Sequence, residues 1–247
     1  MIIGNVPDWG PERVEVLIAT ILSAESPFPC TLAVSAAKRE ALRFAFVDGP
    51  EPDYWAGLPA ILREYFDIYQ SLGRDTSLAV IFRPEGKLLS MDEYRQRFWS
   101  VLNYLHHADG EPWPAEVPTD PASSRWEFSF GGVPMFVVCN TPAHDRRRSR
   151  YSPDFLITFQ PRWVFEGLES HSPRGASVRR AIRRRLRAYD GVDPSPLLGS
   201  YGDIGNQEWR QYFLDDDNTA EVGPAPRCPF PHATTSVPTN SGPGGTP

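Results

Sequence analysis

The stretch Trp126-Glu127-Phe128-Ser129-Phe130-Gly131-Gly132 constrains this chain most. Aromatic and polar residues alternate strictly over its first five positions, the period of a strand with one buried face. Two consecutive glycines then supply the conformations that a tight hairpin turn requires. Residues 133–139 are largely apolar and form the returning strand. A hairpin carrying aromatics at 126, 128 and 130 must lay that face on a large core, which a lone hairpin lacks. The chain is therefore expected to build on an antiparallel sheet covered by other elements.

Those elements are readable in outline. Val14, Leu17, Ile18, Ile21 and Leu22 recur at helical spacing over 12–23, and Pro11 fits the first turn. The prolines of Ser26-Pro27-Phe28-Pro29-Cys30 stop that helix. The pattern then predicts a short helix over 33–40, a strand over 42–47 and a helix over 54–72 ended by Gly73. A strand over 78–82, a helix over 92–107 and a proline-broken loop to 121 follow. Beyond the hairpin come a strand over 154–159 and an arginine-rich helix over 177–189. The expected class is α+β: a mostly antiparallel sheet covered by helices, one domain over 1–222. Residues 223–247 carry seven prolines and four glycines with few large apolar groups, so a disordered tail is expected there.

At 247 residues, a single large domain can bury an internal cofactor pocket. Three unpatterned cysteines (Cys30, Cys139, Cys228), no leader pattern and no long apolar run predict a reducing cytoplasm, no disulfide framework and no membrane span. The formal net charge is −6, yet 146–187 holds twelve arginines against three acids. Such a block is a local anion site or a set of arginines paired with acids elsewhere. The overall charge and the lack of a nucleic-acid motif argue against a nucleic-acid partner. Dinucleotide fingerprints, P-loops, nucleophile elbows and Cys-x-x-Cys pairs are absent.

Individual residues admit two readings each. His144 follows Pro142 at a strand end, as a loop histidine making a hydrogen bond or as an iron ligand. Cys30 sits at a helix start, as a small buried hydrophobe or as a thiolate favoured by helix amides. Arg147, Arg148 and Arg150 suit a carboxylate or phosphate. Glu127 shares a strand face with Ser129, either toward solvent or beside a pocket for a cation; Glu208 beside Trp209 forms a similar group. His106 and His107 are adjacent on a helix and point about 100° apart, so they read as a helix end and not as a metal pair.

Several segments together resemble the YqcI/YcgG family: Phe28-Pro29-Cys30, Leu42-Arg43-Phe44-Ala45-Phe46, Pro112-Trp113-Pro114, the hairpin, Thr141-Pro142-Ala143-His144, Arg147-Arg148-Ser149-Arg150, Thr158-Phe159-Gln160-Pro161-Arg162, Tyr201-Gly202-Asp203 and Asn206-Gln207-Glu208-Trp209. The resemblance runs over about 12–217 and leaves the tail out. It implies a haem b-dependent N-hydroxylase acting on the guanidine nitrogen of L-arginine or a similar amino acid, on routes to specialised metabolites. On that footing His144 is the first candidate for the iron and Cys30 the second. Arg147, Arg148 and Arg150 become propionate partners, and Glu127 or Glu208 holds the substrate guanidinium. O2 or peroxide and a separate electron-donor reductase complete the set. A haem sensor without chemistry and a basic RNA-binding or adaptor protein are the alternatives.

Overall fold

The computed structural model describes residues 1–169, 171–219 and 230. Five strands form one sheet: β1 (Leu42–Val47), β2 (Ser77–Phe82), β3 (Phe128–Phe130), β4 (Val133–Asn140) and β5 (Leu156–Pro161). Their order is β1-β2-β5-β4-β3. Only the β1–β2 pairing is parallel; the other three are antiparallel. The parallel pair needs a crossover, and helix α3 (Leu58–Ile68), extended by a 3-10 turn at each end, provides it. The single helix expected over 54–72 is thus divided, and Gly57 and Pro59 account for the break at its start.

The hairpin forms where the alternation predicts it. Phe128 pairs with Met135, and Gly131 and Gly132 take φ of 59° and 72°, which costs glycine nothing. The first strand is shorter than its pattern: residues 126 and 127 precede the ladder. The strand expected over 154–159 lies two residues later, because Pro153 and Asp154 belong to the approach to it.

Strand alternation gives the sheet two distinct faces. Trp126, Phe128, Phe130, Val80, Val137 and Phe159 face α3 and α4 (Met91–His107), forming the larger core. Helix α4 starts at a full capping box between Ser90 and Glu93. Leu42, Phe44, Ala79, Ile81 and Leu156 face the other way, toward α1 (Gly10–Leu22) and α2 (Thr31–Lys38). Helix α5 (Pro173–Tyr189) lies over this second face, four residues longer at its start than expected because Ser172 caps it. Among the described residues, no helix is long and apolar enough to cross a membrane.

The expected tail lies outside the described residues except for Phe230. That ring is buried against His106, Trp113, Trp126 and Phe128.

Candidate functional site

A cavity of about 510 Å³ opens between the second sheet face and α1, α2 and α5. Its floor is a row across the strands, Leu42, Ser77, Gln160 and Phe136, with Val138, Thr158 and Leu156 in the rows beside it. Leu17, Ile21, Phe28, Val178, Ile182 and Leu186 make the helical wall. The apolar side of the arginine-rich helix thus lines the cavity through Val178, Ile182 and Leu186. Three of its arginines donate to backbone carbonyls: Arg179 to Leu168, Arg183 to Leu198 and Arg185 to Phe28.

Cys30 lies on this wall as the N-cap of α2, its Sγ accepting the amide of Ala33 at 3.4 Å. Burial raises the thiol above its ordinary pKa, while the Ala33 and Leu32 amides oppose the rise. It is the one thiol or imidazole lining the cavity among the described residues.

His144 is elsewhere. It is 2% exposed and off the cavity wall. Nδ1 bonds Thr141 Oγ1 at 2.9 Å and Nε2 bonds the Leu214 carbonyl at 2.9 Å. Burial holds the imidazole neutral, with its pKa lowered to about 4. Both ring nitrogens are thus engaged within the protein, as in the loop-histidine reading.

The arginines after His144 belong to the same clasp. Arg147 donates to the Asp215 and Asp217 carbonyls and to Asn218 Oδ1. Arg150 donates to the Gln211 and Tyr212 carbonyls, and burial lowers its pKa to about 10. Arg148 lies over the Tyr189 ring. In return, Asp216 Oδ1 accepts the backbone amides of 145, 146 and 147, each at 2.9 Å. The basic loop and the acidic run Asp215-Asp216-Asp217 therefore close on each other. Arg147 and Arg150 also line the cavity, and Arg148 does not.

At the hairpin end of the cavity sits a group that spacing alone leaves scattered. Arg162, just past β5, forms ion pairs with both Glu127 and Glu208. Its guanidinium lies 3.9 Å from the Tyr201 ring centre and 5.5 Å from that of Phe165. Glu127 is fully buried and Glu208 is 6% exposed, which removes the solvent-facing reading of Glu127. Among the described residues, neither Glu127 oxygen receives a hydrogen bond of normal geometry and Arg162 Nε has no partner. Burial raises Glu127 to about 8 against the pull of Arg162, and Glu208 is raised by burial too. Burial works against the Arg162 charge, but Glu208 and Glu127 outweigh it and hold its pKa above the ordinary value. Arg162, Glu208 and Tyr201 face the cavity, with Glu127 behind them. Arg162 and Tyr201 were missed as site residues; Gln160-Pro161-Arg162 was visible as a motif, but nothing local marks its partners.

His107 Nδ1 bonds the Asn103 carbonyl at the end of α4, and His106 packs against Trp113 and Phe230. No cluster of three metal-binding side chains occurs among the described residues.

The family model described as YqcI/YcgG family matches residues 18–231. The chain belongs to this family. The matched span reaches Phe230, beyond the end at about 217 expected from the motifs. The chain is 40% identical over 230 residues to each of two Bacillus subtilis (strain 168) proteins, YcgG and YqcI, both called uncharacterized. These alignments cover 92% of this chain and 89% of each relative. It is 34% identical over 209 residues to a Streptomyces lavendulae protein named "Putative N(omega)-hydroxy-L-arginine synthase DcsA", covering 82% of this chain and 77% of that protein. No solved structure gives a significant match.

Proposed function

We propose that this protein is an N-hydroxylase of a guanidine nitrogen, acting on L-arginine or a similar amino acid with haem b as cofactor. The observation that carries the reading is the cavity. It has apolar walls, lies within the range of about 300–1,000 Å³ usual for cofactor sites, and combines a thiol with a charged end where Glu208 and Arg162 face it and Glu127 stands behind them. The name of the Streptomyces relative supports the reaction type.

The residues present fit a haem. Cys30 is the side chain that would bind its iron, because His144 has both nitrogens engaged and stands off the wall. Arg147 and Arg150, the clasp arginines on the wall, would face the propionates. When bound, the haem supplies O2 activation, with electrons from a separate donor protein since the chain carries no flavin or nicotinamide motif. The chain's own part is to exclude water with the α5 and sheet side chains and to orient the guanidine nitrogen. Glu208 and the residues around Arg162 offer the charged end for that task.

The test is haem uptake followed by turnover. The full chain, expressed with haem precursor, is expected to be coloured and, with arginine, a reductase system and O2, to give a product one oxygen heavier. Cys30→Ala is expected to fold normally but to lose the haem absorption band. A colourless wild-type protein that resists reconstitution refutes the cofactor. An unchanged spectrum in Cys30→Ala refutes its assigned ligand.

A further inference from the structure

The charges at the hairpin end of the cavity do not balance. Glu127 and Glu208 are two carboxylates, and Arg162 is the one cation within ion-pair distance of either among the described residues. The other titratable groups that face them are Tyr201 and Tyr212, with Arg125 beyond Tyr201. Both tyrosines are neutral at ordinary pH. With both glutamates ionised the group carries a surplus negative charge, and Glu127 is fully buried with the Arg162 ion pair as its compensation among the described residues. An uncompensated charge in such a place is strongly unfavourable. It must be cancelled by a proton or by a further cation.

We propose that the Glu127–Glu208 pair is the counter-ion for a second guanidinium, that of the ligand, which enters from the cavity against Glu208 and Tyr201 as a proton leaves Glu127. Arg162 is then a positioning residue and not a stand-in to be displaced. Two carboxylates hold it, and the Tyr201 and Phe165 rings cover it, so its removal would leave two buried like charges. Burial favours the protonated form of both carboxyls, so the ligand-free pair holds a proton near neutrality. A bound guanidinium restores the balance without it. The site therefore selects for charge: a neutral ligand of the same shape, such as citrulline, cannot replace the proton and brings no cation. This rests on the reading of the cavity as a substrate site for guanidines.

Titration calorimetry on the full chain tests it, with arginine, agmatine and citrulline in phosphate and Tris buffers of different ionisation enthalpy. At pH 7, arginine and agmatine are expected to bind with release of roughly one proton, falling toward zero at pH 9.5 where Glu127 is already ionised. Citrulline is expected to bind about 100-fold more weakly or worse. Glu127→Gln, a neutral isostere of the protonated residue, is expected to keep its fold and to release no proton. Arginine binding without proton release, or equal release from Glu127→Gln, overturns the inference, as does failure of both guanidines to bind. Hydroxylation assays separate this from the proposed reaction. Proton-linked binding without any hydroxylated product sustains the cation site and removes the activity. Turnover of arginine with no linked proton does the reverse.

Discussion

Replacing His144 by alanine tests the clasp that closes the C-terminal segment onto β4. The imidazole makes two buried bonds, to Thr141 Oγ1 and to the Leu214 carbonyl, and packs against Phe213. Removing it leaves that carbonyl unpaired, at about 1–3 kcal/mol. The void beside Phe213 adds about 2 kcal/mol. His144→Ala is thus expected to lose about 3–5 kcal/mol at pH 7.5. A pH series sharpens the test. Burial lowers the imidazole to about 4, against 6.5 in an unfolded chain. Between these values the unfolded chain takes up the proton and the folded one does not. The histidine's contribution is therefore whole above about pH 6.5 and is lost as pH falls toward 4. At about 1.4 kcal/mol per pH unit over that interval, the loss totals about 3 kcal/mol. The variant lacks this slope, so the wild-type advantage should shrink by about that amount between pH 7.5 and 4. Urea unfolding followed by tryptophan fluorescence measures it. Equal stability at pH 7.5 refutes the clasp, and a difference that does not vary with pH refutes the buried neutral histidine. Haem uptake by the variant should match the wild type. Selective loss of the haem band, with the fold intact, would return His144 to the iron.

Three further outcomes follow from the same geometry. Arg162→Leu leaves Glu127 and Glu208 buried and unpaired, and should cost about 3–5 kcal/mol in urea unfolding, most of it recovered when both glutamates are also changed to glutamine. Lack of that recovery would mean that Arg162 acts through packing and not charge. Asp216→Ala strips the acceptor from three consecutive amides and should cost about 2–3 kcal/mol, with faster hydrogen exchange at 145–147 as the local readout. Phe230→Ala should cost about 3–4 kcal/mol and shift the fluorescence of Trp113 and Trp126; an unchanged melting point would show that the ring does not belong to the core.

The fold was largely legible because its signals are local. Alternation at 126–130 and the two glycines specify a hairpin, and apolar spacing marks α1, α4 and α5 without reference to anything distant. The parallel β1–β2 pairing was not legible, since parallel partners meet only through a crossover that no short window contains. The same limit explains the site. Glu127 and Glu208 were visible as strand and turn carboxylates, but the cation between them stands 35 residues from one and 46 from the other. The strand-end His144 and its arginines looked like an anion site because their partners lie some 70 residues downstream. Most of those partners are backbone carbonyls, which no side-chain pattern reveals. The acidic run at 215–217 was the one available hint.

The clasp and the cavity share residues, and this links stability to function. Arg147 and Arg150 line the cavity while their guanidiniums hold the carbonyls of 211–217. Glu208 belongs to the same C-terminal segment, which Tyr212 pins by donating to the Met135 carbonyl and accepting the Phe128 amide. Those two bonds fix the segment to the very hairpin that carries Glu127. A carboxylate pair drawn from distant parts of the chain keeps its separation only if both supports are rigid, because a shift of about 1 Å is enough to spoil an oriented charged site. Loosening the clasp should therefore weaken cation binding before it unfolds the chain, even at Asp216, whose side chain is not among those lining the cavity.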